Sequence, residues 1–430
     1  MADILIKNGY VITMDGPPIE NGYVLVEDSK ITYVGKEEKP AHKVINANNC
    51  VVMPGMINTH THIGMTLFRG YADDLPLKQW LEDHIWPAEA KLTDEDLYIG
   101  TMLGCLEMIR SGTTAFADMY IHVDSVARAV EESGMRAALS YGMIDLGDKS
   151  RADSELAEGS RFVKKWNGSA EGRITAMYGP HAPNTCSREF LARVKEQAVR
   201  DNARIHIHVL ETEAELNQMK EQFGMCSVNM LDELGFLGPD VLAAHCIWLS
   251  GGDMDILANR NVNIAHCPIS NMKLASGIAP IPELLKRGAN VSLGTDGCAS
   301  NNSLDMFEEM KTTALLHKVN SMDPTTLPAE EVLKMATING AKALGFPVGV
   351  LRPGMLADII IVDMHKPHLL PVHNPTSHLV YAARGSDVKT TIVNGNILME
   401  DGVVKSIDQE KVMEEAAIAA EMLIQRVKNE

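Results

Sequence analysis

Between residues 56 and 346 the chain alternates short apolar runs with amphipathic stretches, and that alternation restricts the fold more than any other feature. The runs are GMINTHTHIG, TTAFADMY, RAALSYGMI, RITAMYGPH, RIHIHVLET, VLAAHCIWL, VNIAHCPIS and NVSLGTDG. Between them lie patterns such as DEDLYIGTMLGCLEMIRSG and SREFLARVKEQAVRDN. Short apolar runs bounded by turn residues read as buried strands, and the 3.6-residue periodicity of the intervening stretches reads as helix. Thr93, three residues before Asp96, opens one helix with a capping box in which Asp replaces the usual Glu or Gln. Eight such strand–helix units predict a (β/α)8 TIM barrel, an α/β fold. A doubly wound sheet is the alternative, but no Gly-rich dinucleotide fingerprint is present.

The two ends of the chain read differently. DILIKNGYVI and GYVLVEDSKITYVG alternate apolar and polar residues and are split by Asn8-Gly9 and Asn21-Gly22. ADIIIVDM, VKTTIVNGNILME and GVVKSI do the same near the C-terminus, with Asn394-Gly395 as a hairpin turn. The economical arrangement is one small β-sandwich domain built from residues 1–55 and 347–408, flanking a barrel of residues 56–346. Residues 409–430 form an amphipathic C-terminal helix, which favours a homo-oligomer, dimer or tetramer.

Composition excludes several function classes. With 39 Lys and Arg against 57 Asp and Glu, the net charge is −18; nucleic-acid binding needs a basic face and is not expected. The seven cysteines are scattered with no Cys-x-x-Cys, which fits a reducing compartment. The opening MADILIKNGYVI lacks the basic head and apolar core of a secretory leader, and no run of 18 apolar residues occurs. A cytoplasmic location without membrane attachment is expected.

The residues ending the strand candidates point to chemistry. The first run carries His60 and His62, the fourth ends at His181, and the fifth at His208, followed by Glu211. The sixth, seventh and eighth bring His245, His266 and Asp296. Barrel closure gathers strand C-termini around one rim, where active sites of such barrels lie. Residues i and i+2 of a strand share a side, so His60 and His62 face the axis together. With His208 and Asp296 they make a nitrogen/oxygen set for one divalent metal, zinc first, with ferrous iron or manganese as alternatives. His206 shares the face of His208 but lies one layer deeper and is expected to be a packed core residue. His266 is expected to support the site rather than ligate.

With these residues placed, the sequence resembles the amidohydrolase superfamily. The resemblance spans essentially the whole chain, through PGMINTHTH, HVLET, AAHC, HCPISN, LGTDGCASNNSLDM and PGMLADIIIVD. Within it, TLFRGYADDLPLKQWLEDHIWPAE, YGPHAP and TDGCASNNSLDMFEEMK are similar to deaminases of S-adenosylhomocysteine, 5′-methylthioadenosine and 5′-deoxyadenosine. RITAMYGPHAP has no lysine at its end to bridge a second metal, so the resemblance implies a single-metal centre. It implies hydrolytic deamination of a nucleoside by hydroxide generated at that metal and attacking C6 of adenine. Glu211 would protonate the adjacent ring nitrogen, and His245 and Asp296 would move the water's proton. Glu89 would accept from the ribose hydroxyls, His181 would contact the purine edge, Trp80 would pack on the ligand, and Ser300 would lie near the leaving group. A deaminase or chlorohydrolase of guanine, cytosine or a triazine is the alternative within the superfamily.

One departure bears on specificity. Relatives that prefer S-adenosylhomocysteine are expected to place an arginine on the third strand to meet the amino-acid carboxylate. Here Tyr141 stands in that place, and Arg151 is the candidate for a second such arginine. Losing one of two guanidiniums tilts the expectation toward neutral 5′-groups.

Overall fold

The computed structural model describes residues 2–75 and 79–429. Residues 76–78, inside the TLFRGYADDLPLKQWLEDHIWPAE segment, therefore lie outside the described residues. Five strands open the chain: β1 (Ala2–Val11), β2 (Ile19–Glu27), β3 (Lys30–Gly35), β4 (Ala41–Asn46) and β5 (Cys50–Pro54). Eight follow in the middle: β6 (Met56–Thr61), β7 (Thr113–Tyr120), β8 (Arg136–Met143), β9 (Ile174–Pro180), β10 (Ile205–Val209), β11 (Val241–His245), β12 (Asn263–His266) and β13 (Asn290–Leu293). Four close the chain: β14 (Ile359–Asp363), β15 (Val388–Val393), β16 (Asn396–Glu400) and β17 (Val403–Val404).

β6 to β13 pair side by side in sequence order and in parallel, as the eight apolar runs predict. The ends of this sheet meet. The Asp296 amide donates to the His60 carbonyl at 2.9 Å, and the Thr59 hydroxyl donates to the Leu293 carbonyl at 2.8 Å. Inward positions carry small or medium side chains, among them Ile57, Ala115, Ala117, Ala138, Leu242, Ala244 and Ala265, in one buried cluster. Outward positions such as Phe116, Leu139, Ile205 and Val241 join the larger core beneath the helices. Alternation along each strand thus separates an axial filling from a helix-facing layer.

The strands of both termini form one mixed sheet in the order β17-β16-β15-β14-β5-β1-β2-β3, with β4 attached to β1. β14 runs antiparallel to β5, which joins the two ends of the chain. Ile4, Val24, Ile31, Val52, Ile359 and Ile392 pack in a single apolar cluster within it. Residues beside the two edges of that cluster also meet, the Ala357 amide donating to the Ser29 carbonyl at 2.8 Å. The sandwich is therefore one continuous sheet curled around its own core.

Asn8-Gly9 and Asn21-Gly22 are not turns. β1 and β2 run through them, with Gly9 opposite Gly22 and a register shift on each side. Asn8 and Asn21 take left-handed φ of 63° and 51°, the conformation of a bulge residue. A β-carbon on Gly9 would sit 2.5 Å from Val52 Cγ2, so the sheet demands glycine there. The actual reversal is Asp28-Ser29, while Asn394-Gly395 is the expected hairpin turn, with both residues at positive φ.

Contacts at Gly55 and at Arg136 help attach the sheet to the barrel. Gly55 alone separates β5 from β6, and a β-carbon there would lie 2.0 Å from Thr114 Oγ1. Arg136, at the start of β8, forks onto Asp358 at 2.8 and 3.0 Å, both side chains being 1% exposed. Asp358 also accepts from the Asn394 amide at 2.8 Å. The helix Gln409–Lys428 packs on the helix Asp94–Ser111, and Arg426 reaches Asp96. Asp96 is the acidic member of the Thr93 capping box, which forms as the sequence predicts. Among the described residues no helix is long and apolar enough to cross a membrane.

Removing one partner of a buried ion pair strands a charge at a cost of about 3–5 kcal/mol. Asp358→Ala should lower the denaturant midpoint accordingly, and Arg136→Met in the same chain should recover most of the loss. Full stability of the single variant in urea unfolding would show that the pair does not clamp the two sheets together.

Candidate metal centre and active site

The C-terminal ends of the barrel strands bring His60, His62, His208, His245 and Asp296 within reach of one point. His60 Nε2 and His62 Nε2 lie 3.4 and 3.3 Å from Asp296 Oδ1, and His208 Nε2 lies 3.4 Å from His62 Nε2. Among the described residues two overlapping groups could hold an ion, His60 with His62 and His208, and His60 with His245 and Asp296. Both contain His60, so they describe a single centre.

The orientation of each ring follows from its outer nitrogen. His62 Nδ1 is 2.6 Å from the Met119 carbonyl, and His208 Nδ1 is 2.7 Å from the His181 carbonyl. A carbonyl oxygen only accepts, so both rings carry a hydrogen on Nδ1 and turn Nε2 inward. His245 Nδ1 faces Asn271 Oδ1 at 3.0 Å, with its Nε2 3.9 Å from Glu211 Oε2. His60 Nδ1 faces His206 Nε2 at 2.8 Å. His60 Nε2 is fully buried and has no hydrogen-bond partner. A lone pair that burial cannot leave unsatisfied, among two further imidazoles and a carboxylate, is the donor set of a divalent cation.

Electrostatics agree. Burial pushes His60 down to about 4, and burial with its neighbouring imidazoles holds His208 well below the ordinary histidine range. Burial also opposes the charged form of His62, but Asp296 carries it up to about 9. Burial works against the Asp296 carboxylate too, yet His60 and His62 keep it well below the usual carboxylate range. The carboxylate thus holds a positive charge at this spot, the place a metal cation takes when it binds. Asp296 Oδ2 is secured by Ser270 Oγ at 2.7 Å and Ser300 Oγ at 3.0 Å, and Oδ1 by the Gly297 amide at 2.9 Å.

Backbone strain concentrates here. Leu210, His245, Cys246 and Asp296 all have positive φ, between 50° and 71°, just where their strands end. Non-glycine residues hold that conformation only when their surroundings impose it. Glu215 supplies part of the restraint, its carboxylate accepting the Leu210 and Glu211 amides at 3.0 Å each.

A cavity of about 300 Å³ opens onto the centre. His62, His208, Glu211, His245, Asp296, Glu89, His181, Trp80 and Ser300 all line it, together with Met65, Leu81, Ile85, Ile121 and Ile144. Burial raises the Glu211 carboxyl above its ordinary value, against the lowering influence of His245. Glu89 accepts a 2.7 Å hydrogen bond from Tyr120, and burial raises it as well. His181, lowered to about 4 by burial, bonds Thr185 through Nδ1.

Two expected residues are elsewhere. Arg151 is exposed in the first turn of the helix Lys149–Trp166, with Glu155 as its partner at 3.8 Å, and does not line the cavity. Tyr141 points outward from β8 toward the same Glu155, because Ser140 and Gly142 occupy the inward parity. Other contacts go unnoticed in the sequence. His206 is buried as expected and also contacts His60; Tyr120 orients Glu89; Ser270 and Asn271 hold Asp296 and His245. HCPISN signals the last pair, while His266 turns away to His317, Nε2 to Nε2 at 3.1 Å.

Residues 51–398 match the model of the Amidohydrolase family. The chain belongs to that family. This amidohydrolase is 65% identical over 430 residues to the 5′-deoxyadenosine deaminase of Methanococcoides burtonii, covering 99% of both chains. It is 52% identical over 434 residues to a 5-methylthioadenosine/S-adenosylhomocysteine deaminase of Pelotomaculum thermopropionicum, covering 99% of this chain and all of the other. Among solved structures, a zinc-bound adenosine deaminase from Xanthomonas campestris superposes with a TM-score of 0.94 at 32% identity, covering 99% of each chain.

A bound ion stabilises only the folded chain, by about 4 kcal/mol at a thousandfold excess over its Kd. Dialysis of the amidohydrolase against a chelator should therefore lower its Tm, and added zinc should restore it. An unchanged Tm in a preparation proven metal-free would remove the centre.

Proposed function

We propose that this amidohydrolase hydrolytically deaminates 5′-modified adenosines to the inosine analogues and ammonia. The observation that carries the proposal is the pairing of two carboxyls in one cavity. Glu211 stands beside the histidine cluster, where chemistry on a base would occur, and Glu89 stands on the cavity wall, where a vicinal diol would be held. The near full-length likeness to deaminases named for such nucleosides supports the same substrate class.

His60, His62, His208 and Asp296 would hold the metal, with zinc preferred over iron or manganese. The metal supplies the Lewis acidity that brings the pKa of water from 15.7 to about 7. The rest is done by side chains. Glu211, its carboxyl raised by burial, gives a proton to N1 of the purine, which makes C6 electrophilic. His245 and Asp296 take a proton from the attacking water and pass it to the departing amino group, which leaves as ammonia. The second water proton replaces the one Glu211 gave up, so N1 of the product keeps its hydrogen. Glu89, fixed by Tyr120, orients the ribose; His181 meets the purine edge; Trp80 packs on the ligand; Ser300 steadies Asp296 beside the leaving group.

The same cavity favours a neutral 5′-group. Among the described residues no arginine lines it, and Leu81, Ile121 and Ile144 do. Ammonia release across 5′-deoxyadenosine, 5′-methylthioadenosine, S-adenosylhomocysteine, adenosine, guanine and cytosine tests both levels of the reading. Both neutral 5′-substituted nucleosides should exceed S-adenosylhomocysteine in kcat/KM. A strong preference for S-adenosylhomocysteine would overturn the specificity, and turnover of free bases alone would overturn the substrate class.

General acid–base catalysis contributes about 10²–10⁴-fold. Glu211→Gln, which cannot give up a proton, should lose kcat in that range with KM little altered. A variant as fast as the parent enzyme would exclude Glu211 as the acid.

A further inference from the structure

We propose that His206 is a positioning residue for the metal centre, fixing the tautomer of His60 so that its Nε2 lone pair points inward. The inference rests on the metal-centre part of the reading above and not on the identity of the substrate.

His206 lies two residues before His208 on β10 and is fully buried. Its ring meets that of His60 edge-on, centroids 4.9 Å apart at 85°, with Nε2 placed 2.8 Å from His60 Nδ1. One hydrogen lies between these two nitrogens, and either ring could own it. If His206 owns it, His60 Nδ1 accepts and the single N–H of neutral His60 sits on Nε2, aimed at the centre, so that His60 cannot ligate. If His60 owns it, Nε2 is free to bind.

The far side of His206 decides the matter. Its Nδ1 lies 3.4 Å from Ser140 Oγ. Ser140 has one hydroxyl hydrogen, and it is donated to the Asp118 carbonyl at 2.7 Å. Toward His206 Nδ1 the Ser140 oxygen can therefore only accept. The ring must carry its hydrogen there and present a lone pair at Nε2, into which His60 Nδ1–H donates. The chain of hydrogens runs from His60 through His206 to β7, and it leaves His60 Nε2 bare. His62 and His208 donate to backbone carbonyls, which cannot change role. Among the described ligands, His60 alone has a second imidazole as its outer partner.

The experiment reads zinc affinity by competition with a chromophoric chelator, so it stands apart from any failure of the deaminase assay. Loss of such an outer partner typically weakens metal binding about 10–100-fold, and His206→Leu should do so, while His206→Gln, whose amide oxygen can stand near the lost Nε2, should stay within about threefold of the parent. Circular dichroism and thermal melting of the metal-free proteins check that each variant is folded. Should the leucine variant not fold, His206→Asn replaces it, since that shorter amide stops short of His60 and should also weaken zinc. Unchanged zinc affinity in a folded leucine or asparagine variant would overturn the proposal. So would a glutamine variant as weak as leucine, because the ring would then serve by its shape alone.

Discussion

The hydrogen bond from the Asp296 amide to the His60 carbonyl joins the segment just after the last barrel strand to the first strand. It also ties together two of the four proposed metal ligands, so closing the fold and assembling the centre are one event. Without closure, His60 and Asp296 would belong to opposite edges of an open sheet. Thr59 and Asn58 strengthen the same seam, Asn58 through both its amide nitrogen and its oxygen on Thr295.

Around that seam, each polar group in the centre is oriented by something outside it. Two imidazoles lean on backbone carbonyls, one on a second imidazole and one on an amide side chain, while the carboxylate leans on two hydroxyls. Rings held this way need little rearrangement to take up a cation, which is the main physical requirement of a preorganised site. Positive φ at the strand ends is compatible with the same arrangement, since the barrel and its loops impose the local conformation.

Much of this is legible in the sequence. Strand ends in a parallel barrel all fall on one rim, so a histidine or aspartate closing a run can be assigned to the rim without knowing the register. His60, His62, His208, His245 and Asp296 are found that way. Register is needed for everything else. Tyr141 is one residue out of phase with the cavity, and only the pairing of β8 reveals that Gly142 faces inward instead. Arg151 sits on a helix, where the hand of a preceding loop decides which way a long side chain leaves. Asn8-Gly9 and Asn21-Gly22 have the composition of hairpin turns, but facing each other across two strands they make bulges. His206 carries the same inward parity as His208, and nothing in the sequence distinguishes a packed ring from one that sets a neighbour's hydrogen. That distinction rests on Ser140 and Asp118, which come from two other strands.

The pairing of β5 with β14 has a temporal side. Pro54 is opposite Ile359, so the partner of β5 is encoded about three hundred residues downstream. At roughly 5–20 residues per second of synthesis, that gap corresponds to a wait on the order of 15–60 s. For that interval the newborn chain holds β1 to β5 with one edge unmatched, while the barrel takes shape beside it. An open strand edge is a template for wrong partners. The amino-terminal strands must therefore either stay loosely formed or be guarded until the last 72 of the 430 residues emerge to complete them.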